Sequence, residues 1–98
     1  MAKYSSRRRK QKVTIRYSRK FVKQFAQQPA KVQQAFNARL RIFSEDINDP
    51  SLRNHPLKGE LTGFYSINVT GDVRAIYEII DGEIYLYAII GPLSQLYG

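Results

Sequence analysis

The chain has 98 residues, room for one small domain, and its 43% hydrophobic and 24% charged content is globular rather than disordered composition. Cysteine is absent and His55 is the single histidine, which excludes disulfides, a thiol nucleophile, cysteine-ligated or His-cluster metal sites, and any mechanism needing two imidazoles. Sixteen Lys and Arg face eight Asp and Glu, a net charge of +8, and no apolar run approaches the ~20 residues of a membrane span, so a soluble, cytoplasmic, single-domain protein is expected.

Six of the cations, Lys3, Arg7, Arg8, Arg9, Lys10 and Lys12, fall in the first twelve residues with no acid among them. From Val13 onward ten cations meet eight acids, so the body is only mildly basic. Residues 1–12 carry almost no apolar side chains and read as a disordered basic tail that leads into no signal-peptide core. Such a tail suits a polyanion, most often nucleic acid, with Arg7, Arg8, Arg9 and Lys10 as RNA contacts. The competing reading is a solvated tail that aids solubility.

The domain is assigned to residues 13–98. Val13 to Tyr17 alternates apolar and polar residues and predicts a short strand. Ser18 offers an N-cap, and Phe21, Val22, Phe25 and Ala26 follow at helical spacing until Gln28-Pro29. Pro29 is placed at the first position of a second helix, where a missing N–H costs nothing. That helix carries the stripe Val32, Ala35, Phe36, Leu40, Phe43 and Ile47, and ends near Asn48-Asp49-Pro50. After a polar stretch from Ser51 to Gly59, Phe64 to Thr70 alternates as a strand. Gly71-Asp72 turns it into Val73 to Ile80, and Asp81-Gly82, a strong hairpin signal, leads into Glu83 to Ile90. Gly91-Pro92 ends this strand and leaves Leu93 to Gly98 as a short tail. The fold class is therefore α+β: an N-terminal strand, then two antiparallel helices on one face of an antiparallel sheet ending in a three-stranded meander. The other face of the sheet is free for a ligand.

Three groups of residues bear on chemistry. In His55-Pro56-Leu57-Lys58-Gly59 an imidazole that exchanges protons near neutral pH precedes an ammonium able to hold a phosphate. The alternative is an ordinary loop histidine. Arg74 stands mid-strand, where a cation is costly to desolvate and must be paired or face an open groove. Its two readings are an ion pair with Glu78 or Asp72, and a guanidinium that binds phosphate on the sheet's free face. Among seven tyrosines, Tyr65, Tyr77, Tyr85, Tyr87 and Tyr97 lie in the strands and tail, as packing residues or as rings that stack on unpaired bases. Tyr97 has the least packing reason to be aromatic.

The runs His55-Pro-Leu-Lys-Gly, Gly63-Phe-Tyr-Ser-Ile-Asn-Val, Gly71-Asp-Val-Arg-Ala-Ile-Tyr and Ile90-Gly-Pro-Leu-Ser-Gln-Leu-Tyr occur in this order. The set resembles the RelE/ParE toxin superfamily, and within it the YafQ-like and RelE-like mRNA interferases, over residues 13–98. The resemblance implies the toxin of a type II toxin–antitoxin pair that cleaves mRNA in the ribosomal A site without a cofactor. Its partners would be a cognate antitoxin, the ribosome and mRNA. Arg74 matches the family's mid-strand arginine and would stabilise phosphate charge; His55 matches the histidine before the meander and would shuttle a proton. Asp72 matches the acid of the turn, Tyr97 the C-terminal aromatic that orients the nucleotide, and Lys58 a weaker phosphate contact. Two positions depart from the pattern: Leu93 stands where the YafQ-like branch has a principal histidine, and Asn68 where that branch can carry another. A missing general acid or base costs ~10²–10⁴ in rate. The resemblance thus leaves open a weakened or inactive nuclease, or one using Tyr97 and Arg74 instead. Two further readings stand beside it, a ParE-like non-catalytic inhibitor of DNA gyrase and a basic nucleic-acid-binding module.

Overall fold

The structure is a computed structural model that describes residues 13–97; the basic tail, with Arg7, Arg8, Arg9 and Lys10, lies outside the described residues. The elements in chain order are β1 (Thr14–Tyr17), α1 (Arg19–Ala26), α2 (Ala30–Glu45), β2 (His55–Pro56), β3 (Phe64–Asn68), β4 (Val73–Ile80), β5 (Ile84–Pro92) and α3 (Leu93–Tyr97). Two 3-10 turns, Pro50–Leu52 and Gly59–Leu61, flank β2. The sheet order is β1-β5-β4-β3-β2. As expected, β3, β4 and β5 form an antiparallel meander and two helices cover one face. The first strand runs parallel to β5, which makes the sheet mixed.

Local chemistry explains where the elements begin and end. Ser18 caps α1 by accepting from the Phe21 N–H at 2.9 Å, and its own hydroxyl donates to the Ala88 carbonyl at 2.7 Å. One hydroxyl thus starts the helix and ties it to β5. Pro29 takes the N-cap of α2 rather than its first turn, and its carbonyl accepts from Val32 and Gln33. The Gln33 amide reaches back to the carbonyls of Phe25 and Gln28, satisfying the end of α1. At Asp81-Gly82 both residues take positive φ, 54° and 74°, and the Glu83 N–H donates to Ile80, the paired left-handed geometry that suits a twisted hairpin.

The core lies between the helices and the sheet face that carries Ile67, Val69, Val73, Ala75, Tyr77, Tyr87 and Ile90. Phe21 of α1 and Phe36 and Phe43 of α2 pack edge-on or tilted against the Tyr87 ring, with centroids 5.4–5.8 Å apart. Leu52, in the first 3-10 turn, is fully buried and anchors the segment that leads to β2. Each such side chain contributes about 1.5–3 kcal/mol on burial. Ala88 is an extra residue in β5: Ile76 pairs with Ile89 but Tyr77 pairs with Tyr87. Beside this bulge the Gln24 side chain accepts from the Ile90 N–H at 2.9 Å, so α1 satisfies the strand edge beyond the end of β1. No helix among the described residues is long and apolar enough to cross a membrane.

Candidate active site

The face of the sheet away from the helices is read from strand parity. Since Ala75 and Tyr77 point into the core, Arg74, Ile76 and Glu78 point to the opposite face, open in part at Arg74 and Glu78 but closed over Ile76, which is fully buried. Cross-strand pairing then sets out rows of side chains there. One row runs Asn68, Arg74, Gly91; the next runs His55, Ser66, Ile76, Ile89. With strands 4.7–4.9 Å apart and about 3.3 Å per residue, the Cα atoms of His55 and Arg74 are roughly 12 Å apart on that face. The Arg74 guanidinium is turned toward Thr70 and Gly71, away from the level of Ile76 at which His55 lies.

Arg74 is half-buried, and neither carboxylate considered from sequence is its partner. Its Nη1 donates to the carbonyls of Thr70 at 2.9 Å and Val73 at 3.1 Å, with a longer contact to Gly71 at 3.4 Å. The guanidinium is therefore anchored by its own turn. Among the described residues Nη2 and Nε have no partner, which leaves donors for an anion. The turn is itself braced by Thr70, whose hydroxyl accepts from the N–H groups of Asp72 and Val73.

Asp72 and Leu93 meet at the same end of the sheet, where the Leu93 N–H donates to the Asp72 carbonyl at 3.0 Å. Val73 pairs with Pro92 and Arg74 with Gly91, so β5 runs on through Pro92 into α3. Gly91-Pro92 ends this strand as expected, but both residues are still paired and the segment after them is helical rather than a plain tail; a Cβ added to Gly91 would meet Gln95 and Leu96 at 3.6 Å. This contact lies on the open side, so α3 folds over the sheet beside Arg74. Tyr97 closes α3; its side chain lies outside what is described. Asn68 is the direct cross-strand neighbour of Arg74. Both departures from the motif, Leu93 and Asn68, thus flank the arginine.

His55 is exposed, on the edge strand, with Nδ1 at 2.8 Å from the Arg53 carbonyl. A carbonyl only accepts, so this contact is a hydrogen bond only when Nδ1 carries the proton, the tautomer in which Nε2 keeps a free lone pair. His55 also lines a cavity of about 300 Å³ with Ile47, Asn54, Tyr65 and Tyr77; these tyrosines belong to the helix side of the sheet, so the cavity is not on the face of Arg74. Lys58 is exposed, just after β2. No group of three His, Cys, Asp or Glu able to hold a metal occurs among the described residues.

Sequence reasoning missed two features here. Ser66 is fully buried opposite His55, and its hydroxyl has no partner among the described residues. Asn54 bonds the Tyr77 hydroxyl at 2.9 Å. The alternation of β3 puts Ser66 on the face away from α1 and α2 but gives no sign of its burial, and nothing in the sequence marks the Asn54–Tyr77 bond.

No protein-family description and no curated protein sequence matches the chain. Solved structures do. The chain has the fold of RelE/ParE-like toxins. In particular it is similar to a mutant of YafQ from E. coli, with a TM-score of 0.73 and 22% identity over 89% of this chain and 100% of that one. It is also similar to the YafQ of the E. coli DinJ–YafQ toxin–antitoxin complex, with a TM-score of 0.71, 22% identity and coverage of 89% and 99%. A YoeB/ParE toxin from Agrobacterium tumefaciens matches with a TM-score of 0.68 and 15% identity over 82% and 98% of the two chains.

Proposed function

We propose that the chain is the toxin of a type II toxin–antitoxin pair, acting as a ribosome-dependent endoribonuclease on mRNA in the A site. The observation that carries this reading is a guanidinium and an imidazole on the open face of a sheet with the toxin fold, each with free groups to offer: Nη2 and Nε of Arg74, and Nε2 of His55.

In the proposed reaction Nε2 of His55 takes the proton of a ribose 2′-OH, and the 2′-oxygen attacks the adjacent phosphorus. The bond to the 5′-oxygen breaks, giving a 2′,3′-cyclic phosphate and a 5′-hydroxyl. Arg74 donates to the equatorial oxygens as their charge grows, with Lys58 as a further contact. The leaving 5′-oxygen needs a proton. Leu93 cannot supply it, and the remaining candidates are Asp72 and Tyr97. Without a dedicated acid, slow turnover is the expected behaviour. The basic tail, through Arg7, Arg8, Arg9 and Lys10, adds phosphate contacts that draw the protein to ribosomal RNA. An antitoxin is the expected protein partner, since the solved relatives include toxin–antitoxin complexes.

Leu93 favours a second reading, a ParE-like inhibitor that occupies DNA gyrase and needs no proton-transfer residue. A reconstituted translation reaction separates the two. The nuclease reading expects mRNA cuts mapped by primer extension that require ribosomes and vanish with Arg74→Ala. Absence of cuts together with inhibited gyrase supercoiling would establish the alternative.

A further inference from the structure

Asn54 lies between the residue that accepts from the His55 ring and His55 itself, and its side chain is held at both ends. Its Nδ2 donates to the Ile47 carbonyl at 2.9 Å, and its Oδ1 accepts from the Tyr77 hydroxyl at 2.9 Å. Those two partners leave one orientation of the amide, because only the NH₂ can donate to a carbonyl. Tyr77 is 1% exposed in the central strand β4 and stacks on Tyr65 with ring centroids 5.3 Å apart. Its hydroxyl is therefore a fixed point.

The residue before Asn54 is in an unusual conformation. Arg53 takes φ 49° and ψ 43°, the left-handed region that a non-glycine side chain enters at a cost. This conformation helps direct the Arg53 carbonyl to Nδ1 of His55. Two peptide units join that carbonyl to the imidazole, and Asn54 is the hinge between them. Pinning Asn54 freezes the separation of donor and acceptor.

We propose that Tyr77 and Asn54 are positioning residues that lock His55 as its Nδ1–H tautomer, with the Arg53 carbonyl as acceptor, so that Nε2 faces outward as the base. Free imidazole in histidine prefers the opposite tautomer, with the proton on Nε2, so the lock reverses an intrinsic preference. The tautomer claim stands on geometry alone; its catalytic meaning rests on the reading of His55 given above.

His55 is the single histidine of the chain, which makes the test direct. The full chain labelled with ¹⁵N-histidine is examined by long-range ¹H–¹⁵N correlation above the pH at which the ring is protonated. The unmodified protein is expected to show Nδ1–H as the major form. Tyr77→Phe, which removes one hydroxyl, and Asn54→Ala are expected to move the population toward Nε2–H. Tyr87→Phe is the control, since it keeps the ring that packs on Tyr77 and deletes only a buried hydroxyl with no hydrogen-bond partner among the described residues, and it should leave the tautomer unchanged. A dominant Nε2–H form in the unmodified protein overturns the proposal, as does an Nδ1–H population indifferent to both Tyr77→Phe and Asn54→Ala. If Asn54→Ala does not fold, Tyr77→Phe decides alone. In single-turnover mRNA cleavage, Tyr77→Phe should lower the maximal rate by about tenfold with the half-saturating concentration unchanged, part of the 10²–10⁴ that a positioned base supplies. Absence of cleavage in every form would overturn the nuclease reading, while the tautomer populations would still decide the positioning claim.

Discussion

Two buried tyrosines of the same core give opposite expectations for the same chemical change. Tyr87 is fully buried and its hydroxyl has no partner among the described residues. An unpaired buried hydroxyl costs about 1–3 kcal/mol, and Tyr87→Phe removes it while keeping the ring that meets Phe21, Phe36 and Phe43. The small void left by one oxygen offsets part of the gain. We expect Tyr87→Phe to stabilise the fold by about 1–2 kcal/mol. Tyr77→Phe deletes the bond to Asn54 and should cost about 0.5–1.5 kcal/mol, tempered because half-buried Asn54 can turn to water. For a domain of this size each kcal/mol shifts Tm by about 4–8 °C, so the two variants should fall on opposite sides of the parent. Urea unfolding with a common m-value is the assay. Destabilisation by Tyr87→Phe of more than about 0.5 kcal/mol would refute the reasoning, because it would mean that the hydroxyl has a partner such as a bound water.

The same tyrosines set an alkaline limit. Burial pushes the Tyr77 hydroxyl up to about 12 and that of Tyr87 higher still. Below pH 10 both are protonated in either state; above it the unfolded chain ionises first. Stability should therefore fall by about 1.4 kcal/mol per pH unit for each tyrosine so raised, Tyr17 among them, and Tyr87→Phe should remove one such contribution from the slope in urea titrations. Ser18→Ala loses the cap of α1 and the bond to Ala88, and should cost about 1–2 kcal/mol in urea unfolding. At Gly82 a Cβ meets nothing within 4 Å, so Gly82→Ala should cost only the positive-φ penalty of about 1–2 kcal/mol, visible as a lower Tm.

Patterning made the helices and the meander legible, but not that the face away from α1 and α2 is closed over Ser66 and Ile76. Ser18, the stripe from Val32 to Phe43 and Asp81-Gly82 each act over a few residues, so their signals are local. The direction of β1 was not legible, because alternation from Val13 to Tyr17 is the same for a parallel or an antiparallel strand. β2 has two residues, too few for a period, and exists because His55 and Pro56 find Ser66 and Tyr65 across the edge. Parity placed Arg74 on the open face, but its actual partners are carbonyls, which every sequence offers everywhere. Tyr77 and Tyr87 look alike as strand tyrosines; what separates them is Asn54, 23 residues from Tyr77 in the chain.

Single-turnover mapping of mRNA cuts on ribosomes programmed with a defined A-site codon tests the central claim most directly. The chain as written should cut slowly, Arg74→Ala should not cut, and Leu93→His should cut ~10²–10⁴ faster, because it restores a proton-transfer group beside Asp72 and Arg74. Equal rates for the chain and its Arg74→Ala form, or silence from the Leu93→His form, would contradict the account.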